Sequence, residues 1–449
     1  MKYNAESGQK LNAHRGRDYP SKIVLDQGFD AMDFIQELSW RGLLSDASDR
    51  DAIQKLAPGT AFFIGFDPTA PSLQVGNLLP ILVTITLARA GLSPIILFGG
   101  ATGSIGDPSG KSVERPLLAR EIISSNVEVQ KEQIRQILGR VNCQATFVDN
   151  FDWTKDVSVL DFLRDVGKHF TVNYMIAKDV VKNRLGGEGI SYTEFSYMLL
   201  QAFDFNHLYQ KFNCKLQIGG SDQWGNITAG LELIRRKSQG EAYALSWPLL
   251  LNAQGKKFGK SESGALWLSP QLTSPFKFHQ FWLNVEDADA VRFLKIFTFL
   301  SEAEIQSIAA AQATSPEKRI AQRTLADAVC TLVHGAAATK AAEQSAHVLF
   351  GGSLEGISDS ALLEIFSDIP SKELSKERLR SAAPADIFVE SGALKSKSEV
   401  RRLISNGGAY WNNERVSDDA SKLPETFLER EVLLLRTGKK TYLLVKITA

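Results

Sequence analysis

Two segments far apart in the chain hold side chains suited to a single reaction. The first runs from Gly65-Phe66-Asp67-Pro68-Thr69 into Gln74-Val75-Gly76-Asn77, and the second is Lys257-Phe258-Gly259-Lys260-Ser261. In the first, a tight turn follows an apolar run and opens a helix. Backbone N–H groups and the positive end of that helix then face whatever lies above the strand, which makes an anion site. Gln74 and Asn77 stand three apart at the helix start, so both amides can turn to one ligand, although the same pair could simply cap the helix. In the second, two lysines bracket Phe-Gly inside the polar, glycine-rich stretch Gln254 to Gly264. Such a stretch is usually a solvated hairpin. Beside a phosphate-binding helix start, its lysines become point charges able to neutralise a leaving pyrophosphate. The two segments together predict chemistry at the α-phosphate of a nucleotide.

Between them lies Tyr192 to Asp204, in which Tyr197, Gln201 and Asp204 fall at i, i+4 and i+7 of a helix and form one polar stripe on an apolar segment. Buried polar groups are costly unless something satisfies them. A ligand bearing an amine and a hydroxyl would do so, and so would an internal hydrogen-bond network. Gly219-Gly220-Ser221-Asp222-Gln223-Trp224-Gly225-Asn226 follows an apolar run and puts further polar groups at a strand end, where α/β sheets bind ligands. Gly106-Asp107-Pro108-Ser109-Gly110-Lys111-Ser112 ends like a P-loop. That motif needs a glycine at position 105, where the chain has Ile105, and Gly103 and Gly106 miss on either side.

These side chains need a scaffold, and the apolar patterning supplies one. Ala61 to Ile64 reads as a buried strand ended by Gly65, Leu78 to Ala90 as a helix closed by Gly91, and Pro94 to Phe98 as a second strand. Ala145 to Val148 and Lys215 to Ile218 continue the alternation. The expected fold class is α/β, a Rossmann-like doubly wound parallel sheet. An α-helical region should follow, with Ser315-Pro316-Glu317 opening a helix that runs to His334 and with Ala336 to Leu349 as the next. Ser353 to Arg380, rich in Ser, Glu and Lys, reads as a flexible connection. The last segment regains strand-like runs at Glu431 to Leu435 and Tyr442 to Ile447. The expected organisation is an N-terminal extension at 1–29, a catalytic domain at 30–250, the lysine loop with an α-helical domain at 251–350, a linker at 351–383 and a small α+β domain at 384–449.

With 449 residues, several domains are expected. Lys+Arg and Asp+Glu are both 51, which excludes a strong global field, but residues 375–449 carry 14 basic against 10 acidic side chains, an excess compatible with RNA contact. Cys143, Cys214 and Cys330 are far apart, have no partner at metal-ligand spacing, and read as buried thiols of a reducing compartment. No apolar run approaches a membrane span, and the polar stretch Met1 to Tyr19 has no secretory core, so a cytoplasmic location without membrane association is expected.

Taken together, the segments at 65–69, 99–115, 167–175, 193–204, 216–230 and 257–267 resemble, in order, those of the class I aminoacyl-tRNA synthetases, in particular the tyrosyl-tRNA synthetases of bacterial and organellar type. The resemblance covers nearly the whole chain. It implies a homodimeric ligase using ATP with Mg²⁺, L-tyrosine and tRNA(Tyr), and it places Gln74 to Asn77 at the HIGH signature and Lys257 to Ser261 at the KMSKS signature. By the resemblance, Asp107, Tyr197 and Gln201 hold the substrate amino group, and Asp204 meets the phenol hydroxyl. Gly65, Asp67, Thr69, Gly76, Asp222, Gln223 and Lys260 belong to the ATP region, and Lys111, Arg115, Lys257, Lys260 and Ser261 close on pyrophosphate. Asp386 to Val416 resembles an S4 RNA-binding domain, whose Lys395, Lys397, Arg401 and Arg402 would lie on tRNA phosphates. Three departures stand out. Gln74 and Asn77 replace the two histidines of the first signature, keeping an N–H donor without the option of a cation. Phe63 replaces a tyrosine whose hydroxyl assists in reading the substrate phenol, so discrimination against phenylalanine should be weaker. A non-catalytic relative that kept only RNA binding would lose residues broadly, whereas Asp204, Gln201, Asp222, Gln223, Lys257 and Lys260 all remain.

Overall fold

The apolar run at Leu78–Arg89 forms a helix buried on almost every face, because it packs between the first two strands of a sheet and the rest of the core. The computed structural model describes residues 33–449 apart from 111–116, 188, 252–254, 256–257, 259, 262–263, 350, 368 and 439–440, with the backbone alone at 260, 261 and 264. The expected extension at 1–29 lies outside the described residues. Strands β1 (Ala61–Phe66), β2 (Ser93–Phe98), β3 (Thr146–Asp149), β4 (Cys214–Gly220) and β5 (Tyr243–Trp247) form one sheet in the order β3-β2-β1-β4-β5, parallel throughout. Strand β5 has no counterpart among the strands read from the sequence. The chain winds outward from β1 to β3 and then returns to β4 on the opposite side of β1. The crevice at the C-terminal ends of β1 and β4 is therefore the switch point at which such sheets bind ligands.

Gly91 (φ +93°) ends the first long helix as expected, since a left-handed backbone there suits glycine. The long helix Tyr192–Phe212 begins at Ser191, whose hydroxyl accepts the Glu194 N–H at 3.2 Å, and ends at Asn213 with φ +50°. It packs on Trp224–Leu233 and on β4. Beyond the sheet, helices Pro275–Leu283, Asp287–Phe297, Glu302–Thr314, Ile320–His334 and Ala336–Val348 form the α-helical region. The largest shift from the sequence reading among these helices is at one start. Pro316–Lys318 is a separate 3₁₀ turn, and Arg319 at φ +50° breaks the chain direction before the helix starts at Ile320. Cys214 and Cys330 are buried, whereas Cys143 is half-buried.

The stretch read as a flexible connection is folded. It contains the helix Asp359–Ile365, the strand Ser371–Ser375 and the helix Lys376–Ser381. The strand pairs parallel with Thr441–Thr448 at the edge of a mixed five-stranded sheet, and Leu354, Ile357, Leu362 and Phe366 are buried against Val432, Leu434 and Leu444. Its many Ser, Glu and Lys residues occupy an exposed edge strand and helix surfaces, where polar composition carries no information about disorder. The C-terminal sheet shelters a second core that includes Phe388, Val400, Trp411 and Leu435. Among the described residues no helix is long and apolar enough to cross a membrane.

Candidate active site

Three strand ends and one helix converge on one polar network. Asp67 follows β1, Thr102 follows β2, Asn150 follows β3, and Tyr197 and Asp204 project from the Tyr192–Phe212 helix that covers them. Tyr197 donates its phenol to Asp67 Oδ2 at 2.8 Å, and Thr102 Oγ1 donates to Asp67 Oδ1 at 2.9 Å. Asn150 Nδ2 lies 3.0 Å from Thr102 Oγ1 and donates to Asp204 Oδ2 at 2.9 Å, while Trp153 Nε1 donates to Asp204 Oδ1 at 2.8 Å. The strand ends can come this close because Gly99 and Gly100 follow β2. A Cβ on Gly99 would stand 2.1 Å from Asp67 Oδ1, and one on Gly100 would stand 2.3 Å from Asp149 Oδ1.

The polar stripe of the long helix is thus split in its role. Tyr197 and Asp204 are satisfied by the internal network, which was the alternative reading, while the Gln201 side chain makes no hydrogen bond among the described residues. Asp204 is completely buried, and burial pushes its carboxyl up to about 7 against the lowering by Asn150 and Trp153. Burial, followed by the carboxylates of Asp67 and Asp107, drives the Tyr197 phenol well above its ordinary value. An ammonium group is the natural complement of these carboxylates. Phe63 on β1 is buried, its ring 5.0 Å from that of Phe205. It is paired in register with Gln217 of β4, so both side chains lie on the same face of the sheet. Gln217 is buried, and its Oε1 has no hydrogen-bond partner among the described residues.

A second cluster joins residues that the sequence reading assigned to different substrates. Gln223 Nε2 donates to Asp107 Oδ2 at 2.6 Å, Ser109 N–H donates to Asp107 Oδ1 at 2.9 Å, and Asn226 Nδ2 lies 3.2 Å from both Ser109 Oγ and Gln223 Oε1. Asp222 stands beside Gly110, where a Cβ would meet its Oδ2 at 3.2 Å. Tyr197 with Asp67, like Asp107 with Gln223, links a residue expected at the amino group to one expected in the ATP region.

The helix-start segment is fixed by its neighbours. Asn77 Oδ1 accepts the Gln74 N–H at 2.9 Å, which leaves the Asn77 amide Nδ2 as a donor. Gly76 is exposed in the same turn, Gly65 is exposed on β1, and the Thr69 N–H donates to the Asp67 carbonyl at 2.9 Å. Helix Arg120–Arg140 carries Asn126, Gln130 and Gln133 along one face. Asn126 Nδ2 donates to Pro68 O at 2.9 Å, Gln130 Nε2 donates to Ala70 O at 2.8 Å, and Gln133 Oε1 accepts Leu73 N–H at 3.0 Å. These three amides hold the turn from Pro68 to Leu73 along its length. Sequence reasoning missed them, as it missed Thr102, Asn150 and Trp153. The i, i+4, i+7 spacing of Asn126, Gln130 and Gln133 is a signal that could have found them.

The two signature segments are stitched together. Val75 N–H donates to Leu266 O at 2.9 Å, Leu268 N–H donates to Leu73 O at 2.8 Å, and Gln74 bridges Trp267 in antiparallel fashion. Lys260–Ser261 pairs antiparallel with Gly264–Ala265 just ahead of this stitch. Phe258 lies between the lysines, its ring 4.8 Å from Phe293, 5.3 Å from Phe297 and 5.6 Å from Trp282, so the lysine segment is anchored in the helical core. Lys257, Lys111 and Arg115 lie outside the described residues. In the C-terminal domain Lys395, Lys397, Arg401 and Arg402 are all exposed on or beside the helix Lys397–Ser405. Two of them are engaged, Arg401 Nε with Asp419 Oδ2 at 2.7 Å and Lys397 Nζ with Asp386.

Residues 57–351 match the family model of tRNA synthetases class I (W and Y), and residues 361–445 match the tyrosine-tRNA ligase SYY-like C-terminal domain. The tyrosine-tRNA ligase of Roseiflexus castenholzii is 48% identical over 421 residues, covering 92% of this chain and 99% of that one. Tyrosine-tRNA ligase 1 of Bacillus subtilis is 46% identical over 418 residues, covering 92% and 98%. Among solved structures, the C-terminally truncated mitochondrial tyrosyl-tRNA synthetase of Aspergillus nidulans is similar with a TM-score of 0.64 at 31% identity, covering 71% of this chain and 94% of that one. By these matches along almost its whole length, the chain belongs to the class I tRNA synthetases, in the tyrosine-tRNA ligase family.

Proposed function

We propose that tyrosine and ATP meet at the C-terminal ends of β1 and β4, and that the chain, as a tyrosine-tRNA ligase, joins them in two steps. In the first, a tyrosine carboxylate oxygen bonds to the α-phosphorus and the bond from that phosphorus to the bridging oxygen breaks, releasing pyrophosphate. In the second, the 3′-terminal ribose hydroxyl of tRNA(Tyr) attacks the acyl carbon and AMP leaves. Neither step requires a protein nucleophile, so the protein contributes position and charge. The observation that carries this reading is Asp204, a buried carboxylate whose two oxygens are already oriented by Asn150 and Trp153 and can accept one more donor, the substrate phenol.

Asp107, Tyr197 and Gln201 take the α-ammonium group among carboxylates that favour a cation. Asp67, Thr69, Gly65, Gly76, Asp222 and Gln223 border the adenylate. Gln74 and the Asn77 amide donate to phosphate at the helix start, and Lys111, Arg115, Lys257, Lys260 and Ser261 neutralise pyrophosphate. The described residues hold no cluster of three metal-ligating side chains at the strand ends. Mg²⁺ would arrive on the phosphates of ATP with most of its ligands from phosphate and water, and it would offset their charge there. Lys395, Lys397, Arg401 and Arg402 contact tRNA phosphates. Val159, Leu160, Leu163, Val172 and Ile176 expose apolar surface on neighbouring short helices of the catalytic domain, a face suited to a second copy of the chain in a homodimer. We place the enzyme in the cytoplasm. Tyrosine-dependent exchange of labelled pyrophosphate into ATP tests the reading. Exchange that needs no amino acid, or none with tyrosine, refutes it, and a monomer in sedimentation at micromolar concentration refutes the dimer.

A further inference from the structure

Trp153 sits on Phe151–Thr154, a single helical turn with no buried residue of its own. A turn so short does not fix the direction of a large side chain. The indole must nevertheless aim its N–H at Asp204, and a second contact holds it. The ring of His207 lies flat against the ring of Trp153, with centroids 4.4 Å apart and planes 11° from parallel. His207 and Asp204 stand three residues apart on the rigid helix Tyr192–Phe212, and so on one face of it. That face therefore grips the indole at two points, its N–H by the carboxylate and its plane by the imidazole.

We infer that His207 is a positioning residue for amino-acid discrimination, acting through Trp153 on the carboxylate of Asp204. The inference rests on the reading that Asp204 receives the substrate phenol. With the indole held, Trp153 Nε1 donates to Oδ1 and Asn150 Nδ2 to Oδ2, so both donors favour the ionised form against burial and fix the direction of the carboxylate when tyrosine arrives. With the stack removed, the one-turn helix and the packing of Trp153 against the cluster of Ile95, Leu97 and Phe205 hold the indole less firmly, and its bond to Asp204 weakens. Tyrosine then loses part of the contact that distinguishes it, while phenylalanine, having no hydroxyl, loses little. Burial, followed by the charge of Lys211, lowers the imidazole below its ordinary value, so the stack is between neutral rings at physiological pH and depends on ring shape rather than charge.

The test measures kcat and KM for tyrosine and for phenylalanine in pyrophosphate exchange with the full-length protein and with H207A, H207F, W153F and D204N. An aromatic stack of this kind corresponds to a fall of about three- to ten-fold in the tyrosine-to-phenylalanine ratio of kcat/KM for H207A, carried by a higher KM for tyrosine, with H207F restoring most of it. A purely structural role would lower both substrates together and leave the ratio in place. The inference is overturned if H207A keeps the ratio within two-fold while W153F shifts it, or if H207F fails to rescue. If D204N and W153F both leave the ratio unchanged, the assignment of Asp204 to the phenol is the error.

Discussion

Replacing Phe63 by tyrosine tests the specificity argument most directly. Phe63 is almost completely buried on β1, beside Phe205 and on the same sheet face as Gln217, beneath the helix that carries Asp204. On the proposed reading the substrate hydroxyl meets Asp204 without help from residue 63, and a hydrogen bond to a charged acceptor contributes about 1.5–3 kcal/mol. A tyrosine at position 63 would add one neutral hydrogen bond to the same hydroxyl, about 0.5–1.5 kcal/mol, which corresponds to a two- to twelve-fold rise in the tyrosine-to-phenylalanine ratio of kcat/KM. The new hydroxyl enters an apolar neighbourhood of Ile95, Leu97 and Phe205, so the protein without substrate should lose about 1 kcal/mol or more of stability, and tyrosine should restore it. Pyrophosphate exchange with each amino acid gives the ratio, and thermal unfolding with and without tyrosine gives the second effect. An unchanged or lower ratio, with the protein folded, would refute the reasoning about Phe63 and the phenol.

Three other outcomes are expected. Gln74→His should keep tyrosine-dependent exchange and raise its rate by a few-fold, because a donor able to carry charge makes roughly twice as strong a bond to phosphate; a loss beyond ten-fold would contradict this. Asp204 is held near 7 in the folded chain, above its unfolded value of about 3.9, so its share of stability is complete below about pH 4 and is lost as pH rises through 7. The thermal midpoint of the free enzyme should therefore fall more steeply between about pH 4 and 7 than that of Asp204→Asn, and equal slopes would show that Asp204 does not titrate there. Arg401→Ala should leave pyrophosphate exchange intact, raise KM for tRNA in aminoacylation, and reduce the salt slope of tRNA binding by about one unit. An unaltered slope would mean that Arg401 keeps its pairing with Asp419 and does not reach the nucleic acid.

Much of the site was legible because its parts lie in short stretches with their own local logic. Gly65 to Asn77 announces a strand, a turn and a helix start through apolar runs and glycines, and Tyr197, Gln201 and Asp204 announce a shared face through helical spacing. The alternation that gives the parallel sheet is equally local. The segment from 353 to 380 was misread for the converse reason. Its strand Ser371–Ser375 has little apolar character of its own and exists because Thr441–Thr448 offers it an edge, a partner distant in sequence.

The sequence alone therefore determined the family, the order of the elements and the side chains available for chemistry, since each depends on residue types at short spacing. Only the tertiary structure decided which of those side chains meet. Asp67 and Tyr197 share a hydrogen bond across 130 positions, Gln223 holds Asp107 across 116, and the lysine segment is tied to the helix start by backbone bonds from Val75 and Leu268. Thr102, Asn150, Trp153 and His207 are unremarkable residue types in the sequence, and they meet one another, Asp67 and Asp204 only because the sheet brings four chain segments together. Contacts of that range follow from sheet topology and burial, which local patterning does not encode.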